Sequence, residues 1–210
     1  MKVIKYPQSC IVIENGAERL LIDPGSFVSQ KFTAESLLPV DAILITHEHQ
    51  DHADPVLIQN LLKNKKIPVI ANDSTQIVLG DVVSRVVKDN ETLEIGSFKI
   101  TCRELPHVDL VDGSKGPKNT GYVINDILFH PGDGIEISNL KVPVAAVPVA
   151  GPDISPKDIF MFIKEVGAHT VIPIHNDYFM SDPVMYEKIF NDKGLEAKFI
   201  VLENGESCEL

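Results

Sequence analysis

Residues 42–52 read Ala42-Ile43-Leu44-Ile45-Thr46-His47-Glu48-His49-Gln50-Asp51-His52. The apolar residues at the start predict a strand buried on both faces. In an extended backbone alternate side chains point the same way, so His47, His49 and Asp51 can converge where the chain leaves the sheet. His52 stands where the backbone must turn into a helix, so its direction can differ. Glu48 and Gln50 alternate with these residues and are expected to face away. Three imidazoles and a carboxylate this close together are a suitable ligand set for zinc, manganese or iron.

Further candidate ligands stand where other predicted strands end. His107 and His175 each follow an apolar strand, and His130 and Asp133 come just after a third. Ligands bind preferentially at strand ends in layered α/β folds. Four ligands so close in sequence as those of residues 47–52 need not all reach one ion. The additional residues therefore leave room for a second ion.

Strands dominate the first half of the chain, and strands alternate with helices in the second half. Helices are predicted after Asp54-Pro55, Ser155-Pro156 and Asp182-Pro183, because each pair combines a capping side chain with a proline suited to the first helical position. No repeat or linker divides the 210 residues, so one domain over 1–210 is expected. An αββα sandwich of two sheets with helices outside accommodates this pattern, which other α/β or α+β folds would also fit.

Charge and cysteine content narrow the classes of function and partner. The net charge of −11 is a poor match for nucleic acid or an anionic membrane, so a small-molecule substrate is expected. The sequence has neither a long apolar run nor a signal-peptide pattern, which predicts a cytoplasmic protein. Cys10, Cys102 and Cys208 are too few and too widely spaced for a disulfide framework or a thiolate zinc site. Buried thiols are expected for the first two.

The motif His47-x-His49-x-Asp51-His52, followed by His107, Asp133 and His175, resembles that of the metallo-β-lactamase superfamily. The resemblance extends over nearly the whole chain. The segment Ile22-Asp23-Pro24-Gly25 is similar to an early element of that family, and Gly132-Asp133 is similar to a later one. The late strands resemble those of the stand-alone UlaG-like and UPF-type metal-dependent hydrolases.

The resemblance implies a four-layer αββα sandwich of two mixed sheets and a site for two divalent metal ions. One ion would take His47, His49 and His107. The other would take Asp51, His52 and His175, with Asp133 bridging the two. A hydroxide held between the ions would be the nucleophile. Zn²⁺ is the first choice of metal, with Mn²⁺, Fe²⁺ or Ni²⁺ as alternatives.

Several further residues are candidates for supporting roles. Asp51 could orient the hydroxide or pass a proton to the leaving group. His130 could donate a proton, or it could be a hydrogen-bonded histidine behind the site. Asp23 could accept a hydrogen bond from a ligand imidazole. Many relatives carry Gly-His where this chain has Pro7-Gln8-Ser9, and Gly-Asp-Thr where it has Gly132-Asp133-Gly134.

Two polar segments could border the site. The glycine-rich loop over residues 111–120 could be a lid in which Lys115 or Lys118 meets an anionic group, or it could be a plain solvated loop. The segment Asn176-Asp177-Tyr178, which follows His175, could line the mouth of the pocket.

The leading hypothesis is a binuclear hydrolase of a small ester, lactone or phosphodiester. A diiron redox enzyme is a second possibility, although the flavodiiron relatives carry Glu at the position of His49 and are followed by a flavin domain. A non-catalytic metal-binding protein is a third. A secreted β-lactamase is disfavoured because no secretion signal is visible. Assembly into a homo-oligomer stays open.

Overall fold

A computed structural model of the chain describes residues 1–63, 65–177 and 181–210. Its strands form two seven-stranded sheets. The first sheet contains β1 (Lys2–Lys5), β2 (Ile11–Asn15), β3 (Glu18–Ile22), β4 (Ala42–Leu44), β5 (Val69–Ala71), β6 (Arg85–Val86) and β14 (Ser207–Glu209). The second contains β7 (Thr92–Ile95), β8 (Phe98–Pro106), β9 (Lys118–Ile124), β10 (Leu128–His130), β11 (Val144–Pro148), β12 (Thr170–Ile174) and β13 (Lys198–Phe199). The helices are α1 (Ser26–Ser29), α2 (Ala34–Leu37), α3 (Pro55–Leu62), α4 (Asp73–Leu79), α5 (Pro156–Val166) and α6 (Pro183–Asn191), with a 3₁₀ turn at Gly80–Val82.

Each sheet has an antiparallel half and a parallel half. The order in the first sheet is β14-β1-β2-β3-β4-β5-β6, and pairing is antiparallel up to β3 and parallel from β3 onward. The order in the second sheet is β13-β12-β11-β10-β9-β8-β7, with parallel pairing from β13 to β10. Polar loops after β3, β4, β10 and β12 follow the carboxyl ends of parallel strands, where ligand sites usually form.

Three separate apolar cores show that the molecule has four layers. The central core lies between the sheets and contains Ile13 of β2 and Tyr122 of β9. A second core packs the outer face of the first sheet against α2 and α3, and a third packs the outer face of the second sheet against α5 and α6. Adjacent strand residues alternate between cores, as Val12 and Ile13 do, because successive side chains point to opposite faces. The predicted αββα sandwich of two mixed sheets is confirmed.

Local signals start α3 and α5 where they were predicted, and the residue types Asn125-Asp126 also suit the tight turn between β9 and β10. The Asp54 carboxylate accepts hydrogen bonds from two backbone N–H groups at the start of α3. Ser155 and Asp158 form a reciprocal capping box at the start of α5. Asn125 and Asp126 both have positive φ, 53° and 56°, as a two-residue type I′ hairpin requires between β9 and β10.

Other predicted boundaries differ from the structure. The lysines after α3 predict a helix end near Lys65, but the helix ends at Leu62, and Asn64 lies outside the described residues. His130 belongs to strand β10 instead of following it. Helices α1 and α2 and strand β14 were not predicted, because elements of three or four residues carry too little periodicity to be recognised.

The cysteines and the apolar character of the helices are two further features of the structure. Cys10 and Cys102 are free and buried, as expected, and burial raises the pKa of the Cys102 thiol to about 12. Among residues 1–63, 65–177 and 181–210, no helix has the length and apolar character needed to cross a lipid bilayer.

Candidate metal centre

The loop between β4 and α3 is held in place by the buried carboxylate of Asp23, which follows β3. Its Oδ1 accepts a hydrogen bond from the backbone N–H of Thr46 at 2.8 Å. Its Oδ2 accepts from Thr46 Oγ1 at 2.7 Å and lies 2.8 Å from Nδ1 of His52. Asp23 has φ +51°, a left-handed conformation that Asp tolerates better than most residues. The predicted role of Asp23 behind a ligand imidazole matches this geometry.

The first group of candidate ligands contains His47, His49 and His107. The Thr46 hydroxyl donates to Asp23, so it can accept the N–H of His47 Nδ1, 3.0 Å away. This leaves the lone pair of His47 Nε2 facing His49 Nδ1 at 3.2 Å. Nδ1 of His107 donates to the backbone carbonyl of Val108 at 2.6 Å, which leaves its Nε2 unprotonated and available.

The second group contains Asp51, His52 and His175. Nδ1 of His175 donates to the carbonyl of Ala150 at 2.7 Å, and its Nε2 lies 3.3 Å from Oδ2 of Asp51. Nε2 of His52 lies 3.7 Å from the same carboxylate oxygen. His175 has φ +61°, an uncommon conformation for a residue other than glycine.

Asp133 lies between the two groups. Its Oδ1 is 3.1 Å from His52 Nε2, and its Oδ2 is 3.1 Å from His175 Nε2. Oδ2 is also 3.6 Å from Nε2 of His107, which belongs to the first group. One carboxylate therefore faces imidazoles of both groups, as a bridging ligand would.

Unsatisfied buried atoms show that this cluster fits divalent cations. In the part of the chain that the structure describes, His52 Nε2, His107 Nε2, His175 Nε2 and Asp133 Oδ1 are buried without a well-aligned hydrogen bond. Buried polar atoms are rarely left in this way unless an ion or water occupies the space between them. Ligand atoms around one tetrahedral ion at 2.0–2.1 Å lie about 3.3–3.4 Å apart. The separations of 3.1–3.7 Å across the cluster are close to that value.

The pKa shifts within the cluster show that its carboxylates attract positive charge. Burial raises the pKa of Asp133, but His175 and His52 outweigh it and hold that pKa well below its usual range. Burial lowers the pKa of His175, but Asp133 and Asp51 raise it to about 9. Burial and the neighbouring His52 lower the pKa of His47, which keeps its imidazole neutral. At neutral pH, the histidines that face the carboxylates therefore carry protons. These protons supply the positive charge that metal cations would otherwise supply.

His130 is positioned differently from the seven residues of the cluster. Its ring is fully buried, with Nε2 2.8 Å from the backbone carbonyl of Ser9. Its Nδ1 accepts a hydrogen bond from the backbone N–H of Gly132 at 3.2 Å. Both ring nitrogens therefore connect the first hairpin to the turn before Asp133. This arrangement matches the alternative prediction, in which His130 is a hydrogen-bonded histidine behind the site. Neither ring nitrogen is then available to donate a proton to the substrate.

The polar segments predicted to border the site are mostly paired within the chain. Lys115 forms an ion pair with Asp109 at 2.7 Å, and Lys118 pairs with Asp73 and Glu104 at 3.0 and 3.2 Å. Lys118 also opens strand β9, so the predicted loop is shorter than residues 111–120. Tyr178 lies outside the described residues.

The two residues expected to face away behave differently. Oε2 of Glu48 accepts hydrogen bonds from Ser74 and Thr75, away from the ligands, as predicted. Gln50 lines the cavity beside the cluster, so the prediction for it is wrong. The backbone turns between His49 and His52, where the N–H of His52 donates to the carbonyl of His49, and strand alternation ends there.

Gln8 supports the second group, and the sequence did not reveal this. Its amide Nε2 donates to Oδ2 of Asp51 at 3.0 Å, and its backbone carbonyl accepts from the N–H of His175 at 3.0 Å. Its own N–H donates to Asp177, 169 positions away in the sequence, at 2.6 Å. Asp177 is paired in turn with the buried Lys5 at 3.7 Å. Only its position in the family's Gly-His element marked Gln8 in the sequence.

Fold and cluster together define a protein of the αββα class with a candidate binuclear metal centre between its two sheets. Residues 2–175 match the family described as the beta-lactamase superfamily domain. The chain therefore belongs to the metallo-β-lactamase superfamily, which confirms the resemblance of its motifs.

Relatives cover nearly the whole chain. Protein Rv0786c of Mycobacterium tuberculosis is 31% identical over 83% of this chain and 84% of its own length. The UPF0173 metal-dependent hydrolase MJ1163 of Methanocaldococcus jannaschii is 25% identical over 98% of both chains. The structure of Igni18, a metallo hydrolase from Ignicoccus hospitalis, superimposes with a TM-score of 0.80 at 21% identity, covering 100% of this chain and 98% of the other.

Proposed function

We propose that this protein is a metal-dependent hydrolase that cleaves a small ester, lactone or phosphodiester with a hydroxide held between two divalent ions, with Zn²⁺ as the first choice. The observation that carries the proposal is the position of Asp133 between two groups of candidate ligands, each with imidazole ring nitrogens facing inward. Relatives named metal-dependent hydrolases support the general activity.

The ions, when bound, would lower the pKa of water and polarise the scissile oxygen. The chain's part is to place the ligands and set the local charge. Asp51 and Asp133 are the carboxylates of the cluster, so two dications would leave the site positive by about two charges. Such a site favours negative charge that develops on the substrate.

A further role is proposed for Asp51, beyond metal binding. Its carboxylate is partly exposed and borders the cavity, whereas Asp133 is almost fully buried. Gln8 and His175 both approach its Oδ2, which leaves the other oxygen free to orient water or pass a proton to the leaving group. We assign this role to Asp51 rather than to His130.

The deciding experiment combines metal content with turnover. Protein purified without added metal is analysed for bound ions, then assayed with chromogenic carboxylic esters, lactones and phosphodiesters. About two ions per chain with turnover of one class would support a binuclear hydrolase. Two ions without turnover would favour a non-catalytic metal-binding protein, and iron with consumption of dioxygen would favour the diiron alternative. Protein that binds no ion after reconstitution would refute the ligand assignment.

A further inference from the structure

A cavity of about 320 Å³ opens directly on the metal cluster. Its floor contains His49, Asp51, His107 and Asp133. The other lining residues are the apolar side chains Phe27, Leu110 and Pro152 and the neutral polar residues Ser26 and Gln50. No lysine or arginine lines this cavity among the residues that the structure describes. Among the described lining residues, therefore, no side chain with a permanent positive charge would attract an anionic substrate.

Lys115, which borders the groove next to the cavity, is paired with a carboxylate. The ammonium of Lys115 is 2.7 and 3.0 Å from the two carboxylate oxygens of Asp109. The groove beyond His107, about 550 Å³ in volume, is bordered by two lysines and by four carboxylates, those of Asp109, Glu136, Asp153 and Asp158. An anionic group that extended out of the cavity would therefore meet net negative charge, which disfavours its binding.

Hydrogen bonds within residues 110–114 hold Leu110, one of the apolar residues that line the cavity. Leu110 N–H donates to the carbonyl of Ser114 at 2.8 Å, and the N–H of Gly113 donates to the carbonyl of Leu110 at 2.8 Å. The Asp112 carboxylate accepts from both the N–H and the hydroxyl of Ser114, at 2.9 and 2.6 Å. These bonds close residues 110–114 into a turn, so Leu110 is presented to the cavity by a defined loop.

We infer that the substrate is an uncharged carboxylic ester or lactone with a short apolar acyl chain seated against Phe27, Leu110 and Pro152, and not a phosphodiester. This inference rests on the proposed function and narrows its substrate class. In the reaction, the oxygen of water bonds to the acyl carbon as the bond to the ester oxygen breaks. The departing oxygen takes a proton, and the products are a carboxylic acid and an alcohol from an ester, or a single hydroxy acid from a lactone.

The first test measures binding, so that it does not depend on turnover. Metal-loaded protein is titrated calorimetrically with acetohydroxamate, butyrohydroxamate and hexanohydroxamate, which chelate metal through the same group and differ only in chain length. Each methylene that enters the apolar cavity should tighten binding by about fourfold until the cavity is full. Leu110→Lys should abolish this gain. Val111→Lys is the matched control. Val111 is next to Leu110 in the sequence, but its side chain is 89% exposed, so this substitution should leave the gain unchanged.

The second test compares p-nitrophenyl butyrate with bis(p-nitrophenyl) phosphate, each rate divided by its uncatalysed rate. Greater acceleration of the ester, lowered by Leu110→Lys and not by Val111→Lys, supports the inference. Binding independent of chain length, or greater acceleration of the phosphodiester, overturns the inference while leaving a hydrolase in place. A chain-length gain without any hydrolysis supports the cavity's selectivity and counts against the proposed function. Protein that takes up no metal refutes both.

Discussion

Single residues orient the imidazoles of the candidate ligands, because each of these rings has a hydrogen-bond acceptor behind it. His52 faces the carboxylate of Asp23, and His107 and His175 donate to backbone carbonyls. Each acceptor holds the proton on Nδ1 and leaves the Nε2 lone pair free for metal. Because these partners decide the tautomer, changing them should alter metal affinity although none of them touches an ion.

Asp23→Asn is expected to weaken metal binding by about 10- to 100-fold. The amide offers one oxygen in place of two, whereas Thr46 N–H, Thr46 Oγ and His52 Nδ1 all face the native carboxylate. Competition with a chromophoric chelator would measure the loss. Asp126→Asn, at an exposed carboxylate paired with Lys99, is the control. Equal affinities for the two variants would contradict this role.

Gln8→Met should weaken the binding of one of the two proposed ions by about tenfold and leave the binding of the other nearly unchanged. The side-chain amide contacts Asp51, and the backbone contacts His175, both of the second group. Methionine keeps the length of the side chain but cannot donate to the carboxylate. Stepwise metal removal followed by elemental analysis would resolve the ions. Gln76→Met, on the exposed side of α4, is the control, and an equal loss of both ions in Gln8→Met would disprove selective support.

Asp51→Asn tests whether this carboxylate acts on the substrate as well as on the metal. If it orients water or passes a proton, turnover should fall by far more than metal occupancy does, because the amide cannot accept a proton at neutral pH. Turnover and bound metal are measured on the same preparation. A proportional loss of both would limit Asp51 to metal binding.

Among the elements, the loop after β8 carries both a candidate ligand and part of the cavity wall. It supplies His107 at its start and Leu110 a few residues later, and Gly116 packs against the imidazole of His107. A Cβ atom at position 116 would lie 2.3 Å from Nδ1 of His107. The close approach of this backbone therefore fixes the ring from behind.

Gly116→Ala is expected to displace His107 and lower metal affinity at the first group. The added methyl group meets ring atoms that are held by the bond to Val108, so the ring must move. Gly113→Ala in the same loop is the control, because its Cβ would meet nothing within 4 Å, although its φ of +80° costs some stability. Chelator competition on both variants gives the comparison. Unchanged affinity in Gly116→Ala would mean that the loop yields without moving the ring.

At the scale of the whole molecule, the cluster joins the two sheets. His47, His49, Asp51 and His52 follow β4 of the first sheet, whereas His107, Asp133 and His175 follow β8, β10 and β12 of the second. Ions bound between them would connect the halves of the sandwich. The folded state would then gain stability in proportion to metal binding, about 2.7 kcal/mol at a free ion concentration 100 times Kd.

Metal affinity should therefore increase with pH up to about 9, and the thermal stabilisation by metal should increase with it. The Asp133 carboxylate raises the pKa of His175 to about 9, so a proton competes with the ion over the whole range below that value. Thermal unfolding with and without Zn²⁺ from pH 5 to pH 9 would measure this dependence. His49→Ala, which removes a ligand, should reduce the response. Metal occupancy that is unchanged at pH 5 would contradict the prediction.

Features that depend on near neighbours could be predicted from the amino-acid sequence. The run of ligands after β4, the caps of α3 and α5 and the Asn125-Asp126 turn follow from residue types a few positions apart, because the backbone couples such residues directly. The family motifs added the αββα architecture and the two sets of ligands.

The groups that lie behind and beside the candidate ligands could not be predicted from the sequence, because they come from distant parts of the chain. Gln8 contacts Asp51 and Asp177, and Phe27 and Leu110 line one cavity, so segments far apart in sequence come together. The carbonyl of Ala150 that orients His175 likewise belongs to a separate loop. Such contacts arise when the two sheets pack against each other and bring the ends of their strands together. No periodicity or short motif predicts how close these strand ends come, because their separation depends on the packing of the whole central core.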